Sequence, residues 1–324
     1  MIRSRKKICV VGAGNWGKNH IRVLNHLGYL AGVVDSDESR IGQLKQIYKD
    51  INYYKDVNHT FKDSFDGYIV ATPADTHFRI AKKIIQSKSH VLVEKPLALN
   101  VVDASELHIM AKKNSVNLMV GHLLLFHPAI LKIKEMIMNG SIGKLQYLYS
   151  NRLNLGTIRG EENILWSFAP HDISIFQFFV EAFPTEVISR GGVFLQSNIH
   201  DTTMTVLQYP NNTIGHIFVS WLHPFKEHRL VVIGSEGMIS FDDSSEQKRL
   251  NFHDKTINIS NGIPTMIEGK TEEVFYDREM PLDRQLQYFV DHLDGSPIDV
   301  SDANSAIDVL KILEIATDSL TGMA

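Results

Sequence analysis

Cysteine is almost absent from this sequence. Cys9 is the single cysteine among 324 residues, which excludes an internal disulfide framework and is typical of a reducing compartment. Long apolar runs are also missing, since none reaches the roughly 18 residues that a membrane span needs. The apolar run after the basic N-terminus is too short for a secretory signal. We therefore expect a cytoplasmic protein with no membrane partner.

Neither sign of charge is in large excess. Lysine and arginine number 33 and aspartate and glutamate 37, which gives a formal net charge of −4. This balance argues against a general binder of nucleic acid or anionic membranes. Hydrophobic residues make up 44% of the sequence and charged residues 22%, so a folded core is expected. At about 150 residues per domain, the length suggests two domains.

A metal-binding pattern is missing as well. The histidine pairs His122/His127 and His223/His228 have no cysteine near them in the sequence. Zinc sites need three or four ligands, and their histidines normally have supporting groups around them. We therefore predict no metal.

The first third alternates short apolar strands with helical patterns. Residues 8–11 and 30–34 are predicted as strands with a helix over 16–27 between them, and the alternation continues to a strand at 118–120. Continuous apolar strands joined by helices indicate parallel pairing, burial on both faces and right-handed crossovers. This predicts an N-terminal Rossmann domain over residues 1–121, an α/β domain with a doubly wound parallel sheet.

The pattern changes beyond that point. Longer strand patterns follow one another, separated by turn residues such as Pro-Asn-Asn at 210–212. They predict a C-terminal α+β domain over residues 122–324 with a large, mostly antiparallel open sheet. One helix is expected at 172–181, and two final helices, which can pack back on the first domain, are expected from residue 282. We expect this domain to bind the substrate and to form a homo-oligomer, a dimer or tetramer.

A glycine-rich turn carries the first functional signal. Residues 12–17 read Gly-Ala-Gly-Asn-Trp-Gly between a strand and a helix, the setting in which this spacing lets a pyrophosphate approach the backbone at a helix N-terminus. Asp35 ends the second strand, and no arginine follows it directly. A carboxylate there accepts hydrogen bonds from ribose hydroxyls and repels a 2′-phosphate, which favours NAD over NADP. The cofactor contacts predicted here are Gly12, Gly14, Asn15, Trp16, Gly17, Asp35 and Ser36.

Further polar residues follow other predicted strands, where open parallel sheets bind ligands. At such a strand end, Lys95 can hydrogen-bond a substrate hydroxyl and can lose its proton more readily beside a cationic nicotinamide. The alternative is a surface pair of Lys95 with Glu94. The position of His77 alone favours a histidine on a helix surface. The cofactor contacts predicted from these strand ends are Thr72, Pro73, His77, Glu94, Lys95 and His122.

A loop early in the second domain is rich in forked hydrogen-bond donors. Two arginines and two asparagines in the segment 152–163 suit a phosphorylated, hydroxyl-rich ligand. The alternative is a local pair of Arg159 with Glu161 or Glu162. The substrate-binding residues predicted from this loop are Arg152, Asn154, Arg159 and Asn163.

A histidine follows this loop. His171 is expected near the N-terminus of the predicted helix at 172–181, where the helix dipole disfavours the imidazolium and keeps a neutral base available. A buried core histidine is the other interpretation. The further substrate-binding residues predicted are Lys95, Trp166, His171 and Asp172.

Taken together, these motifs resemble those of one known family of enzymes. The glucose–fructose oxidoreductase/inositol dehydrogenase (Gfo/Idh/MocA) family has the same elements in the same order: the glycine-rich turn, Asp35, Ala71-Thr72-Pro73 with His77, Glu94-Lys95-Pro96, and a histidine before a second-domain helix. The resemblance covers essentially the whole chain, and Glu-Lys-Pro is its most specific element. It implies an NAD-dependent oxidoreductase acting on CH–OH groups, with Lys95 and His171 as catalytic residues on either side of the reacting carbon.

Two departures from the family pattern bear on the mechanism. Many members carry an aspartate four residues before the histidine and another three after it, where this chain has Ser167 and Ser174. Many also carry an arginine where Leu125 stands. The proton-relay aspartate of inositol-type members therefore has no counterpart here, and Asp172 can replace it only if its geometry allows.

The segment 151–174 narrows the expected substrate. It is similar to members that oxidise the 3-hydroxyl of UDP-N-acetylglucosamine or of its uronic acid, which implies hydride transfer from a UDP-sugar to NAD and an aminotransferase that uses the ketone in amino-sugar biosynthesis. Lys95 is expected to position the hydroxyl and take or relay its proton, with His171 as partner or alternative base. The alternatives are a free polyol such as inositol, the uronic acid, or a catalytically silent NAD-sensing regulator. A sensor needs neither Lys95 nor His171, which argues against the regulator.

Overall fold

The chain folds into two units. The structure, a computed structural model, describes residues 5–160 and 162–322. One unit comprises Met1–Phe126 with Glu279–Leu310, and the other comprises His127–Arg278 with Lys311–Ala324. The division therefore falls after Phe126, a few residues beyond the expected boundary at 121. The segment that begins at Glu279 belongs to the first unit, an arrangement that the sequence left open for the final helices.

The first unit is built on a six-stranded parallel sheet. Its strands are β1 (Ile8–Val11), β2 (Leu30–Val34), β3 (Asn52–Tyr54), β4 (Gly67–Val70), β5 (His90–Val93) and β6 (Leu118–Val120). They pair in the order β3-β2-β1-β4-β5-β6, and every pair is parallel. Its helices include α1 (Asn15–Leu27), α2 (Glu38–Ile47), α3 (Ala74–Gln86), α4 (Val101–Asn114) and α7 (Pro281–Asp291). The Rossmann part of the predicted fold class is confirmed.

Local sequence explains where these elements begin. Strands β1 and β4 are buried along their whole length, as expected for parallel strands covered on both faces. Helix α2 follows Asp37, whose side chain accepts hydrogen bonds from the N–H groups of Ser39 and Arg40. Helix α4 follows Asn100, which accepts from the N–H of Asp103.

The second unit is built on an eight-stranded sheet. Its strands are β7 (Leu145–Leu153), β8 (Glu186–Gly192), β9 (Thr202–Gln208), β10 (Ile214–Ser220), β11 (Glu227–Gly234), β12 (Met238–Asp242), β13 (Leu250–Ser260) and β14 (Ile263–Glu273). Its helices include α5 (Pro128–Met138), α6 (Ile164–Val180) and the end of α8 (Ala303–Thr321), a helix that begins in the first unit.

The order of this sheet is β14-β13-β12-β11-β7-β10-β9-β8. Strands β7 and β10 pair in parallel, and the other neighbours are antiparallel, which confirms the predicted mostly antiparallel open sheet. Within the described ranges, no helix of the protein combines the length and the apolar character needed to cross a membrane.

Helix α6 covers one face of the eight-stranded sheet. It packs against β7, β9 and β10, and a Cβ on Gly215 of β10 would lie 2.7 Å from the ring of Phe176. The opposite face carries aromatic side chains from the central strands. The rings of Tyr149 and His216 stack there at 5.3 Å, and the Tyr147 hydroxyl lies 2.6 Å from Nδ1 of His216.

Helix α6 begins two turns earlier than the sequence indicates. Pro170 marks the expected helix start, because a proline normally precedes or ends a helix, but it lies inside α6. The N-cap is Asn163, whose side chain accepts a hydrogen bond from the N–H of Trp166 at 3.1 Å. Burial of this apolar helix against the sheet offsets the hydrogen bond that proline removes. The prediction that His171 lies near a helix N-terminus is therefore wrong.

The hairpin of β13 and β14 is missing from the sequence-based assignment. Asn261 and Gly262 form its turn with φ angles of +53° and +78°, and Asn-Gly between alternating apolar residues is a strong hairpin signal. Ile257 lies opposite Met266 in the outer part of the hairpin. These two side chains are 63% and 67% exposed, so the hairpin presents apolar surface.

Candidate active site

Most of the predicted cofactor residues line one cleft in the first unit. The cleft has a volume of about 610 Å³ and lies where β1, β2 and β4 end, at the carboxyl edge at which open α/β sheets bind ligands. The predicted residues that line it are Gly12, Gly14, Asn15, Trp16, Asp35, Ser36, Thr72 and Pro73. The predicted residues outside this lining are Gly17, His77, Glu94, Lys95 and His122.

Two glycines of the turn before α1 have no room for a side chain. Gly12 has a φ of +99°, and a Cβ there would lie 2.6 Å from the carbonyl oxygen of Ala71. A Cβ on Gly17 would lie 2.0 Å from the carbonyl oxygen of Gly12. Gly14 has open space beside it and precedes α1 without a side-chain cap. The turn thus leaves uncapped helix N–H groups for an anion, which fits a dinucleotide pyrophosphate.

The carboxylate of Asp35, which lines the cleft, accepts hydrogen bonds from two backbone N–H groups. Its Oδ2 accepts a hydrogen bond from the N–H of Ala13 at 2.7 Å and its Oδ1 from the N–H of Asp37 at 2.8 Å. A carboxylate has about four acceptor positions, so capacity remains for ribose hydroxyls. Nη1 of Arg40 lies 3.5 Å from Oδ2 of Asp35. An arginine therefore lies beside Asp35 in space. Arg40 does not follow Asp35 directly in the sequence, but the first turn of α2 brings it close.

Several cations that the sequence pattern did not single out also line the cleft. They are Arg40, Lys55, Arg79 and Lys83. Arg79 and Lys83 are four residues apart on α3, a spacing that places them on one face of the helix. Lys55 pairs with Glu38. The helical spacing of Thr76, Arg79 and Lys83 is the signal from which these cleft residues could have been found.

Lys95 lies among buried polar side chains beyond the end of β5. The buried carboxylate of Glu94 has Oε1 at 2.7 Å from Nε2 of His20, and its Oε2 accepts from the N–H of Lys95 at 3.3 Å. His122 is fully buried nearby. Burial, followed by the charge of Lys95, lowers the pKa of His122 to about 4 although Glu94 and Asp302 oppose the shift. His122 is therefore a neutral ring beside the lysine near neutral pH.

His77 does not line the cleft, although it was predicted to contact the cofactor. Its side chain is buried, with Nδ1 at 2.7 Å from the carbonyl oxygen of Pro96 and Nε2 at 2.8 Å from that of Thr72. Both ring nitrogens are thus occupied by backbone. Instead of lining the cleft, His77 is buried and connects the loops that follow β4 and β5.

Arg152 and Asp172 of the second unit are bonded to each other. Nε and Nη2 of Arg152 donate to the two carboxylate oxygens at 2.9 Å each, and Oγ of Ser150 donates to Oδ1 at 2.6 Å. The two charged side chains are 13% and 1% exposed. Burial alone would lower the pKa of the Arg152 guanidinium, but the charge and hydrogen bonds of Asp172 raise it. The N–H groups of Arg152, which the sequence assigns to a substrate, are therefore bonded to Asp172. Asp172 is bonded to Arg152 and Ser150, and this arrangement does not make it a proton relay.

Two residues predicted to bind substrate have structural roles around α6. Asn163 caps the helix through the N–H of Trp166. Nε1 of Trp166 donates to Oγ1 of Thr317 at 2.9 Å and so ties α6 to the end of α8. The N–H of Asn154 donates to the carbonyl oxygen of Ser220 at 3.1 Å. These contacts hold the two ends of the loop that carries Arg159.

Arg159 retains the features expected of a substrate ligand. Its side chain is 57% exposed, with Nε at 3.2 Å from Oε1 of Glu162. An exposed ion pair of this kind contributes little to stability, so a ligand can compete for the guanidinium. The expected pairing with Glu162 is present, and Glu161 lies outside the described residues.

His171 lies in the middle of α6 and is half-buried. Oγ of Ser174, a residue found in place of a family aspartate, donates to the carbonyl oxygen of His171 at 2.8 Å. Adjacent residues of a helix point to different sides, so His171 and Asp172 do not face each other.

The histidines weighed as metal ligands have other surroundings. Nδ1 of His127 accepts a hydrogen bond from the N–H of Ala129 at 3.1 Å and caps α5. Burial, followed by the charges of Arg152 and Lys226, lowers the pKa of His228 to about 4. Across residues 5–160 and 162–322, no group of three histidine, cysteine, aspartate or glutamate side chains is arranged to hold a metal ion.

This fold and cleft define a class of protein, an oxidoreductase with a dinucleotide-binding domain. Residues 6–122 match the model of the oxidoreductase family with an NAD-binding Rossmann fold, and residues 130–240 match the GFO/IDH/MocA C-terminal domain. The chain belongs to the GFO/IDH/MocA family of oxidoreductases. Its first unit is the NAD-binding Rossmann domain of that family.

Individual relatives show how far the similarity extends. Myo-inositol 2-dehydrogenase of Thermotoga maritima is 28% identical over 254 residues, which are 74% of this chain and 76% of that protein. UDP-N-acetylglucosamine 3-dehydrogenase of Acidithiobacillus ferrooxidans is 26% identical over 65% of this chain and 66% of its own length. Its structure, that of GnnA, superposes with a TM-score of 0.86 over 98% of both chains at 21% identity. The structure of GenD2 from gentamicin A biosynthesis, solved in complex with NAD, superposes with a TM-score of 0.81. The superposition covers 99% of this chain and 95% of that chain at 22% sequence identity.

Asp35→Ala should weaken NAD binding and narrow the preference for NAD over NADP. The change removes the ribose acceptor and the repulsion of a 2′-phosphate, and it releases Arg40 for that phosphate. Loss of charge-assisted hydrogen bonds worth about 1.5–3 kcal/mol corresponds to a roughly 10- to 100-fold weaker Kd for NAD. Quenching of Trp16, which lines the cleft, measures both dissociation constants.

Asp35→Ala with Arg40→Ala is the matched control, in which any gain in NADP binding should disappear. A parent protein that binds NADP more tightly than NAD would show that this interpretation of Asp35 is wrong.

Proposed function

We propose that the protein oxidises a secondary hydroxyl of a sugar to a ketone, and that its substrate is UDP-N-acetylglucosamine, oxidised at the 3-hydroxyl. The observation that carries the proposal is the place of Lys95, at the carboxyl end of β5. Strand β5 is next in the sheet to β4, whose following residues Thr72 and Pro73 line the dinucleotide cleft. The similarity to the A. ferrooxidans enzyme supports this choice of substrate.

Free inositol is the second candidate substrate, because the T. maritima relative is a myo-inositol dehydrogenase at 28% identity. The uronic acid of the UDP-sugar is a variant of the first candidate. A silent NAD-sensing regulator is disfavoured by the presence of both Lys95 and His171.

Each of the two catalytic candidates has a defined task in this proposal. When bound, NAD supplies the acceptor for the hydride that leaves the alcohol carbon. Lys95 hydrogen-bonds the hydroxyl, orients it and takes or relays its proton. His171 is the partner or alternative base. General-base assistance is worth about 100- to 10,000-fold, and positioning contributes at least as much.

Lys95→Met should abolish turnover while NAD binding remains measurable, because the loss falls on the chemical step. His171→Asn should reduce turnover less if Lys95 is the principal base. Lys113→Met, a change of an exposed lysine on α4, is the control and should behave like the parent. Stopped-flow NADH formation separates chemistry from binding, and near-parental turnover by Lys95→Met would exclude the lysine from the mechanism.

The second unit supports a nucleotide-linked substrate rather than a free sugar. Arg159 lies in a loop between Gly156 and Gly160, and its exposed pair with Glu162 can be exchanged for a diphosphate. Arginine binds phosphate through two parallel hydrogen bonds. Arg152 is a poorer candidate, because its fork is already bonded to Asp172.

Arg159→Ala should raise KM for the UDP-sugar about 10- to 100-fold, with less effect on kcat if the arginine binds ground state and transition state equally. Glu162→Gln is the matched control: it removes the competing carboxylate and should leave KM unchanged or lower it. NAD reduction is compared for UDP-N-acetylglucosamine, its uronic acid, free N-acetylglucosamine and inositol, with an aminotransferase present to remove ketone. Equal activity on a free sugar or on inositol would contradict the nucleotide requirement.

The partners follow from this chemistry. A sugar ketone is a substrate for transamination, so an aminotransferase of amino-sugar biosynthesis is the metabolic partner in the proposal. We also propose a homo-oligomer, formed through the sheet face opposite α6. This face exposes apolar side chains on three neighbouring strands, namely Ile188, Met204 and Ile214, at 40%, 50% and 39%. Apolar patches of this kind mark association surfaces.

Met204→Glu should shift the protein to a smaller species, because a buried unpaired carboxylate would oppose association across this face. Light scattering after gel filtration measures the mass. Met138→Glu changes a methionine on α5 that is 65% exposed and should leave the mass of the parent unchanged. A parent protein that is monomeric at micromolar concentration would contradict the proposal.

A further inference from the structure

Two buried histidines contact the residues on either side of Lys95, one through a side chain and one through the backbone. On one side, Nε2 of His20 lies 2.7 Å from Oε1 of Glu94. On the other, Nδ1 of His77 lies 2.7 Å from the carbonyl oxygen of Pro96. The residues before and after the lysine are therefore each tied to a different helix, α1 and α3.

The His20–Glu94 contact links the lysine to the glycine-rich turn. His20 has no exposed surface and Glu94 is 8% exposed, so the oxygens of Glu94 depend on hydrogen bonds within the protein. His20 lies one turn after Trp16, and the two rings meet edge to face at 6.1 Å. Because Trp16 lines the cofactor cleft, α1 connects the cleft to the residue preceding Lys95.

The His77 contact links the lysine to a second loop of the cleft. The other ring nitrogen, Nε2, lies 2.8 Å from the carbonyl oxygen of Thr72, a residue that lines the cleft. Carbonyl oxygens only accept hydrogen bonds, so each neutral tautomer of His77 satisfies one of them and the protonated ring satisfies both. In every case His77 spans the loops that follow β4 and β5.

We propose that His20 and His77 are positioning residues that fix the backbone from which the Lys95 side chain extends toward the reacting hydroxyl. Neither histidine lines the cleft, so neither contacts the substrate or the dinucleotide in this proposal. The proposal rests on the catalytic role proposed above for Lys95. A displacement of about 1 Å of a catalytic group can cost about 100-fold in rate, which makes such a hold consequential.

The chain offers a matched control on the same strand. His90 begins β5, at the end opposite Lys95, and its Nδ1 accepts a hydrogen bond from the N–H of Asn117 at 3.0 Å. Like the changes at His20 and His77, His90→Leu removes a hydrogen-bonded histidine. It should lower stability without disturbing the lysine, and so it separates a general loss of stability from a loss of position.

His20→Leu and His77→Leu should each lower kcat about 10- to 100-fold while KM and the Kd for NAD stay within about three-fold of the parent. His20→Gln retains an N–H donor for Glu94 and should recover most of kcat. His77→Gln can reach one of the two carbonyl oxygens and should recover part of it. His90→Leu should keep the kcat of the parent. If a leucine variant fails to fold, the alanine variant of that site takes its place in the same comparison.

The position of the lysine is also measured without turnover. Competitive labelling with trace acetic anhydride, read by peptide mass spectrometry, gives the reactivity of Lys95 relative to the exposed Lys113. His20→Leu and His77→Leu should change this ratio, and His90→Leu should not. Turnover near the parental value and an unchanged ratio in both leucine variants would overturn the proposal.

The two proposals fail in different ways. If Lys95→Met keeps its turnover, the catalytic role is wrong, yet the labelling ratio still reports whether the two histidines hold the lysine. If Lys95→Met is inactive while both histidine variants match the parent in kcat and labelling, the catalytic role stands and the positioning role is wrong.

Discussion

The parallel register of the first sheet is the constraint on which its site depends. The final residues of four strands are register partners, with Val11 opposite Val34 and Val70, and Val70 opposite Val93. The residues that follow them are Gly12, Asp35, Ala71 and Glu94. Backbone hydrogen bonds thus place the phosphate turn, the ribose acceptor and the start of the lysine motif in one row. A slip of one residue in the register of any of these strands would turn all of its side chains to the other face of the sheet.

Each unit contains a buried carboxylate that is satisfied in its own way. Glu94 meets a histidine and the backbone, whereas Asp172 meets the fork of Arg152 and a serine hydroxyl. Removing one partner of a buried ion pair costs about 3–5 kcal/mol because a charge is left uncompensated. These hydrogen-bonded carboxylates therefore restrain β5 and α6, the elements beside the candidate catalytic residues.

The sequence predicts the parts of this protein that depend on short-range patterns. Apolar strands between helices indicate the parallel sheet, and the glycines of residues 12–17 indicate the cleft, because both signals lie within a few residues. The partners of buried polar groups lie far along the chain: His20 and Glu94 are 74 residues apart. The helical spacing indicates that His20 lies on the buried face of α1 and needs a hydrogen-bond partner. It does not indicate that this partner is Glu94.

Two assignments differ because tertiary contacts overrule local preference. Pro170 favours a helix that starts close to it, but burial against the sheet stabilises an apolar helix that begins at Ile164. The Asn261-Gly262 turn is a local signal as strong as any used for the first domain. The apolar residues that alternate on either side of it are exposed rather than buried, because the hairpin has little core to cover.

The outer part of the β13–β14 hairpin has a consequence for how the protein behaves in concentrated solution. Strand β14 is the edge of the eight-stranded sheet, so a row of backbone donors and acceptors accompanies the apolar side chains of Ile257 and Met266. A two-stranded ribbon with no third strand or helix over it is marginal in water. An edge of this length is also a template on which a strand of another molecule can pair. We therefore expect association at high protein concentration to begin at this ribbon, among residues that the proposed chemistry does not use.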